Sequence, residues 1–151
     1  MASTYRTGRK KIVDALVKEF KTSINGVAPY NSNVFNNVHG RLKFLDEILE
    51  YPTICVVAGD ETREYQPDGF KWRFLSLDIR SYIENEADSQ EVLALLMEDI
   101  ERVVDNNDIL NNDNTVSPNL KTISLTIITL STDEGVLSPL GLGEMNVMVR
   151  Y

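Results

Sequence analysis

The chain has 151 residues, with 15 Lys or Arg against 23 Asp or Glu, giving a net charge of −8 and a pI near 4.6. This balance argues against a protein that grips nucleic acid, which requires clustered Lys and Arg to displace counterions, yet it is compatible with DNA passing by, since a wall of the phosphates' own sign offers no adhesion. The length fits one domain spanning residues 1–151, the 42% hydrophobic and 25% charged fractions are ordinary globular values, and no apolar run approaches the ~20 residues that cross a bilayer, so a water-soluble chain with no membrane partner is expected.

Basic residues Arg6, Arg9, Lys10 and Lys11 precede an amphipathic segment rather than a uniformly apolar one, so no secretory signal is read. From Thr7 to Phe20, Ile12, Val13, Leu16, Val17 and Phe20 recur at helical spacing, with Lys10, Lys11, Asp14, Lys18 and Glu19 on the other side. That spacing predicts an amphipathic helix, capped from Ser3, Thr4 or Thr7, with Gly8 blurring its start. Ile24 to Gly40 is rich in asparagine and carries Gly26 and Pro29, which reads as extended or looped chain and is expected to form a surface loop. Arg41 to Tyr51 predicts a brief helix through Leu42, Leu45, Ile48 and Leu49, stopped by Pro52.

Thr53 to Gly59 is β-branched and continuously apolar, as in a strand covered on both faces. Cys55 within it is the only cysteine, read as a small buried hydrophobe in a reducing compartment. Asp60 to Gly69 reads as a charged connection, and Lys71 to Ile83 as a strand whose Leu75, Leu77 and Ile79 face a core. The two strands form an antiparallel hairpin with a projecting tip from about Asp60 to Phe70, able to reach a partner.

Ser89 to about Asp105 is the strongest helical signal, with Val92, Leu93, Leu96, Met97, Ile100, Val103 and Val104 in one stripe and a cap from Asp88 with Glu91, or from Ser89. Asn106 to Asn114 reads as a polar loop, and Leu120 to Ser131 as a strand with Ile123, Leu125 and Ile127 on one face. In the last segment Met145, Val147, Val149 and Tyr151 share a face opposite Asn146, Met148 and Arg150. A strand so patterned is expected inside a sheet, tying Tyr151 to the fold or to a neighbouring subunit, so that truncation is damaging. The order of elements predicts an α+β fold: a roughly four-stranded antiparallel or mixed sheet with the N-terminal helix and the helix at 89–105 packed on one face.

Chemistry is sparse. His39 is the only histidine and has no acidic or thiolate helpers at ligand spacing, so no metal site is read. Gly141-Leu142-Gly143 lacks the third glycine and the strand-to-helix setting of a phosphate loop, and turn formation accounts for it better. Asp108 and Asp113 with their asparagines miss the calcium-loop order. Of the acid pairs, Glu98-Asp99 lies on the polar side of the long helix, while Asp60-Glu61 and Asp133-Glu134 sit at loop starts. A hydrolase would need two of His39, Asp60, Glu61, Asp133 and Glu134 to converge in a cleft, and no such convergence, nor any cofactor, is expected.

Four segments carry a family resemblance: Tyr51-Pro52-Thr53-Ile54-Cys55-Val56-Val57-Ala58-Gly59-Asp60-Glu61, Leu77-Asp78-Ile79-Arg80-Ser81-Tyr82, Leu96-Met97-Glu98-Asp99-Ile100-Glu101, and Thr132-Asp133-Glu134-Gly135-Val136-Leu137-Ser138-Pro139-Leu140-Gly141. With them the chain resembles, over most of Ile12 to Tyr151, the tail terminator proteins of long-tailed bacteriophages with non-contractile tails. The resemblance implies a non-enzymatic virion protein, assembled in the host cytoplasm, that forms a homohexameric ring at the head-proximal end of the tail. Its implied partners are the tail tube protein and a neck or head-completion protein, with DNA passing through unbound. A neck connector or a tail assembly chaperone acting as a monomeric binding module is the alternative. The residues expected at an interface or facing the bore are Asp60, Glu61, Glu64, Asp133, Glu134 and Tyr151.

Overall fold

Alternation of apolar and polar residues builds one sheet with a helix-covered front and a mostly polar back. In the computed structural model, which describes residues 8–69, 71–113 and 120–151, the elements run α1 (Gly8–Ser23), β1 (Val38–His39), a 3-10 turn (Leu45–Glu47), β2 (Thr53–Tyr65), β3 (Lys71–Glu84), α2 (Ser89–Asn106), β4 (Asn111–Asp113), β5 (Leu120–Lys121), β6 (Ser124–Thr132) and β7 (Leu140–Arg150). The main sheet has five strands in the order β1-β2-β3-β7-β6, with β1 parallel to β2 and the rest antiparallel; β4 and β5 form a separate pair. The α+β architecture is as expected, with one strand more than four. The proposed caps Ser3, Thr4 and Thr7 and the tip residue Phe70 lie outside the described residues.

On the front, Ile54 and Val56 of β2, Leu75, Leu77, Ile79 and Ile83 of β3, and Met145, Val147 and Val149 of β7 meet Ile12, Leu16 and Phe20 of α1 and Leu93, Leu96 and Ile100 of α2 in a single core. Each such side chain, taken fully out of water, contributes about 1.5–3 kcal/mol. Asp88 caps α2, its carboxylate accepting the Glu91 N–H at 3.1 Å. On the back, Ile48, Cys55 and Tyr82 form a smaller cluster with Leu45, Tyr51 and Leu142. This patch is what covers the start of β2 on its second face.

Several local expectations are corrected. The asparagine-rich segment is not all surface loop: Ile24, Val34 and Val38 are buried, and Val38–His39 pairs with Ile54 and Cys55 as β1. The helix expected over 41–51 shrinks to Leu45–Glu47, because Ile48 and Leu45 are used one-sidedly on the back of the sheet while Leu49 is 91% exposed. The connection expected from Asp60 is strand as far as Tyr65. Three residues of the polar stretch after α2 form β4, and the strand expected from Leu120 is interrupted where Thr122 turns its hydroxyl to bond Leu110 N–H (2.7 Å) and Asp108 C=O (3.1 Å). Ile123 is consequently exposed rather than core-facing.

Two further corrections concern α2. Asp99 does not lie on a polar face: it is fully buried, accepting hydrogen bonds from the backbone N–H of Asn31 (2.9 Å) and Ser32 (2.7 Å) and thereby tethering the asparagine-rich segment to the helix. Gly141 and Gly143 lie within β7, not in a turn. They occupy core-facing positions in phase with Met145, and a Cβ would stand 2.8 Å from Ile83 Cδ1 at Gly141 and 2.6 Å from Met97 Sδ at Gly143. Their bareness lets α2 approach the sheet closely.

Candidate functional site

The six residues singled out from sequence divide between opposite ends of the sheet. Glu61 lies opposite Leu75, whereas Asp133 pairs its N–H with Leu142, which lies opposite Tyr82. Seven strand residues separate those positions, roughly 24 Å at ~3.4 Å per residue.

At the first end a β-bulge between Ala58 and Glu61 inserts one extra residue into β2. The shift places Glu61, rather than Asp60, on the helix-covered front beside Leu75. There Glu61 accepts a short hydrogen bond from the Tyr151 hydroxyl and a two-point contact from Arg63, Nη2 at 2.9 Å and Nε at 3.1 Å, leaving its side chain 6% exposed. Burial pushes the Glu61 carboxyl upward, but the hydrogen bonds from Tyr151 and Arg63 and the nearby guanidinium charges outweigh it and hold the group below the usual carboxylate range. The Tyr151 hydroxyl is pushed up to about 12 by burial and then by the adjacent Glu61 charge.

The terminal residue is therefore fastened from every side. Its backbone exchanges hydrogen bonds with Arg73 (3.0 and 3.3 Å), and the Arg73 guanidinium stands 5.6 Å from its ring centroid. Gly8 opens α1 against that ring, where a Cβ would lie 2.8 Å from Cε2. Arg9 reaches across to donate to the Gly59 carbonyl at the bulge. Beyond Tyr151 the β2–β3 ribbon continues with no further described strand beside it, pairing Glu64 with Trp72 and Tyr65 with Lys71 before it turns. Asp60 and Glu64 are exposed along it.

At the second end Asp133 organises the turn between β6 and β7. Its carboxylate accepts the N–H of Leu137 (3.0 Å) and Leu142 (3.2 Å) and the Gln90 amide (3.2 Å). Burial works to raise this carboxyl, and those three donors bring it below its ordinary value. Glu134 follows with φ +57, then Gly135 with φ +85, and the Glu134 side chain stays in water. Sequence neighbours thus have different fates: Glu61 and Asp133 are engaged in holding the fold, while Asp60, Glu64 and Glu134 are exposed, Glu64 accepting only from the nearby Gln66 amide at 3.3 Å among the described contacts.

His39 lines a small cleft of about 190 Å³ with Asn37, Lys43, Ile48, Leu49, Glu50 and Thr53, and burial together with Lys43, Arg41 and Lys21 lowers its pKa. Asp133 borders a shallower hollow with Ser131, Thr132, Leu142 and Glu144. A groove on α2 is lined by Glu98, Glu101, Arg102, Asp105 and Asn106. None of these three depressions brings together two of His39, Asp60, Glu61, Asp133 and Glu134. Sequence reasoning missed Gly8, Arg9, Arg63 and Asp99; only the isolation of Gly8 at a helix start was a visible signal.

Residues 6–151 match the family model described as bacteriophage tail tube terminator protein. The chain is also 39% identical, over 151 aligned positions covering 95% of it and 92% of the relative, to the tail tube terminator protein p142 of Escherichia phage T5. A match that spans nearly the whole chain and nearly the whole relative assigns the chain to the bacteriophage tail tube terminator family.

Proposed function

We propose that this chain is a non-enzymatic component of the virion tail that closes six copies into a ring on the head-proximal end of the tail tube. The ring stops further addition of tube subunits and presents a surface to a neck or head-completion protein. A tube grows by open heterologous contacts, and it ends when a subunit offers one face that fits the last ring and another that does not fit the next subunit. The observation that supports this most directly is the unlikeness of the sheet's two ends: a projecting ribbon with the pinned Tyr151 at one, a carboxylate-organised turn at the other.

Six chains of net charge −8 carry −48, so a bore lined by part of that charge gives departing DNA a non-adhesive wall. Asp60, Glu64 and Glu134 are the exposed carboxylates of the six residues for this role; Glu61, Asp133 and Tyr151 serve it by fixing the segments that carry them. The decisive experiment is electron microscopy of particles lacking this chain, where overlong tubes are expected. Tails of normal length fastened to capsids would refute the reading.

A further inference from the structure

The sheet's two outer strands are dressed differently. The outer side of β2 runs past the two-residue β1 with no further described strand beside residues 57–65, and it carries Asp60, Glu61, Arg63, Glu64 and the bulge, devices that discourage casual pairing. At the other side β6 pairs with β7 alone. Its nine residues, Ser124–Thr132, contain no charge and no proline, and Ile128 and Leu130 are 54% and 45% exposed. A strand edge of this length without a charge or a proline is a template for another strand, its one irregularity being the register shift between Ile127 and Thr129.

We propose that β6 is a strand-pairing joint whose occupant is the outer edge of β2, residues 57–65, of a second copy of this chain. The inference rests on the ring reading above. Strand directions fit it: β2 and β7 run one way and β3 and β6 the other. With the strands set along the ring axis, rotation about that axis preserves their direction, so β6 of one copy meets β2 of the next antiparallel. The two stretches are of similar length: β6 has nine residues, and β2 beyond its β1 pairing runs over residues 56–65, with the Gly59 carbonyl accepting from Arg9. Side chains stand off the plane of a sheet, so the charged residues of β2 are not buried between the joined strands. Pairing of β6 with β6 would be isologous and would close at two copies, whereas β6 with β2 is heterologous and propagates around a ring.

Cross-linking in assembled particles tests the joint. Chains carrying Ile128→Cys together with Asp60→Cys, Thr62→Cys or Glu64→Cys, supplied to particles lacking the wild-type protein, are expected to give disulfide-linked species larger than dimers on mild oxidation, with none from the single variants. The native Cys55 is fully buried and stays silent. Normal tails that hold the variants but yield no cross-link from any pair would overturn the joint and leave the ring standing. Dimers from Ile128→Cys alone would overturn it in favour of a two-fold contact. In the unmodified protein, amides 124–132 are expected to exchange roughly tenfold more slowly in tails than in the free chain, and equal exchange would likewise overturn the joint. Failure of the parent reading looks different: normal-length tails containing no copy of the chain.

Discussion

Removing one oxygen, Tyr151→Phe, tests whether the last residue holds the sheet end through Glu61. The hydroxyl donates to a carboxylate that is almost wholly out of water and keeps only Arg63 when the bond is lost. A hydrogen bond to a charged group is worth about 1.5–3 kcal/mol. The hydroxyl's displacement from 10.0 to about 12 comes first from burial and only then from Glu61, so it sets a ceiling near 3 kcal/mol at about 1.36 kcal/mol per pKa unit, which solvent screening of this half-buried ring reduces to about 1–2 kcal/mol. A loss of about 1.5–2 kcal/mol lowers the Tm by about 3–8 °C for a chain of this size, read by calorimetry at pH 7. The sign follows from each shift: Glu61, depressed on folding, stabilises above its unfolded value and loses that contribution as pH falls through the folded one. Tyr151, raised, stabilises below pH 10 and loses its contribution as pH climbs toward 12. In a double-mutant cycle with Glu61→Gln the two changes are expected to couple by at least about 1 kcal/mol. A Tm change under about 1 °C, or additive effects in the cycle, would refute the assignment.

Three other perturbations have defined outcomes. Gly143→Val drives a side chain into Met97 and Ser81 and is expected to cost about 1–3 kcal/mol; Met97→Ala in the same chain should recover part of it in urea unfolding, and no recovery would place the clash elsewhere. Asp99→Ala strips the acceptors from Asn31 and Ser32, at about 1–3 kcal/mol for each orphaned donor, and limited proteolysis should then open residues 25–36 first; unchanged cleavage would show that the tether is dispensable. Asp133→Asn removes a carboxyl whose folded pKa lies below its unfolded one, so the stability that wild type loses as pH falls below about 4 should be absent from the variant; identical acid profiles would deny Asp133 its role in the turn.

How far the sequence reached depended on whether a residue's partner lay nearby in the chain. The helices and the alternation of Leu75, Leu77 and Ile79 or Met145, Val147 and Val149 were legible because period alone fixes which face is buried. The bulge that exchanges Asp60 for Glu61 was not, since it adds one residue without a composition signal. Asp99 looked solvated because its partners, Asn31 and Ser32, lie 68 and 67 residues away. Gly141 and Gly143 looked like turn residues although they continue the parity of Met145; extending the core-facing set by two more steps would have placed them under α2.

The difference between engaged and exposed carboxylates decides how the proposed charge of a bore can be probed. Reversing Asp133 breaks three hydrogen bonds in its turn, so a defect in DNA ejection would not distinguish a lost wall charge from a lost fold. Glu134→Lys and the pair Asp60→Lys with Glu64→Lys alter exposed side chains, at the cost of one exposed hydrogen bond from Gln66 to Glu64, and each substitution is expected to leave stability within about 0.5 kcal/mol. If strands run along the bore, both ends of the sheet contribute a ring of acids and both variants slow ejection. If strands run across it, only one end faces DNA and a single variant slows ejection, because the two sets stand roughly 24 Å apart along the strands. Ejection at the wild-type rate in both, from particles with normal tails, would mean that these carboxylates face outward and that the wall draws its character from other residues.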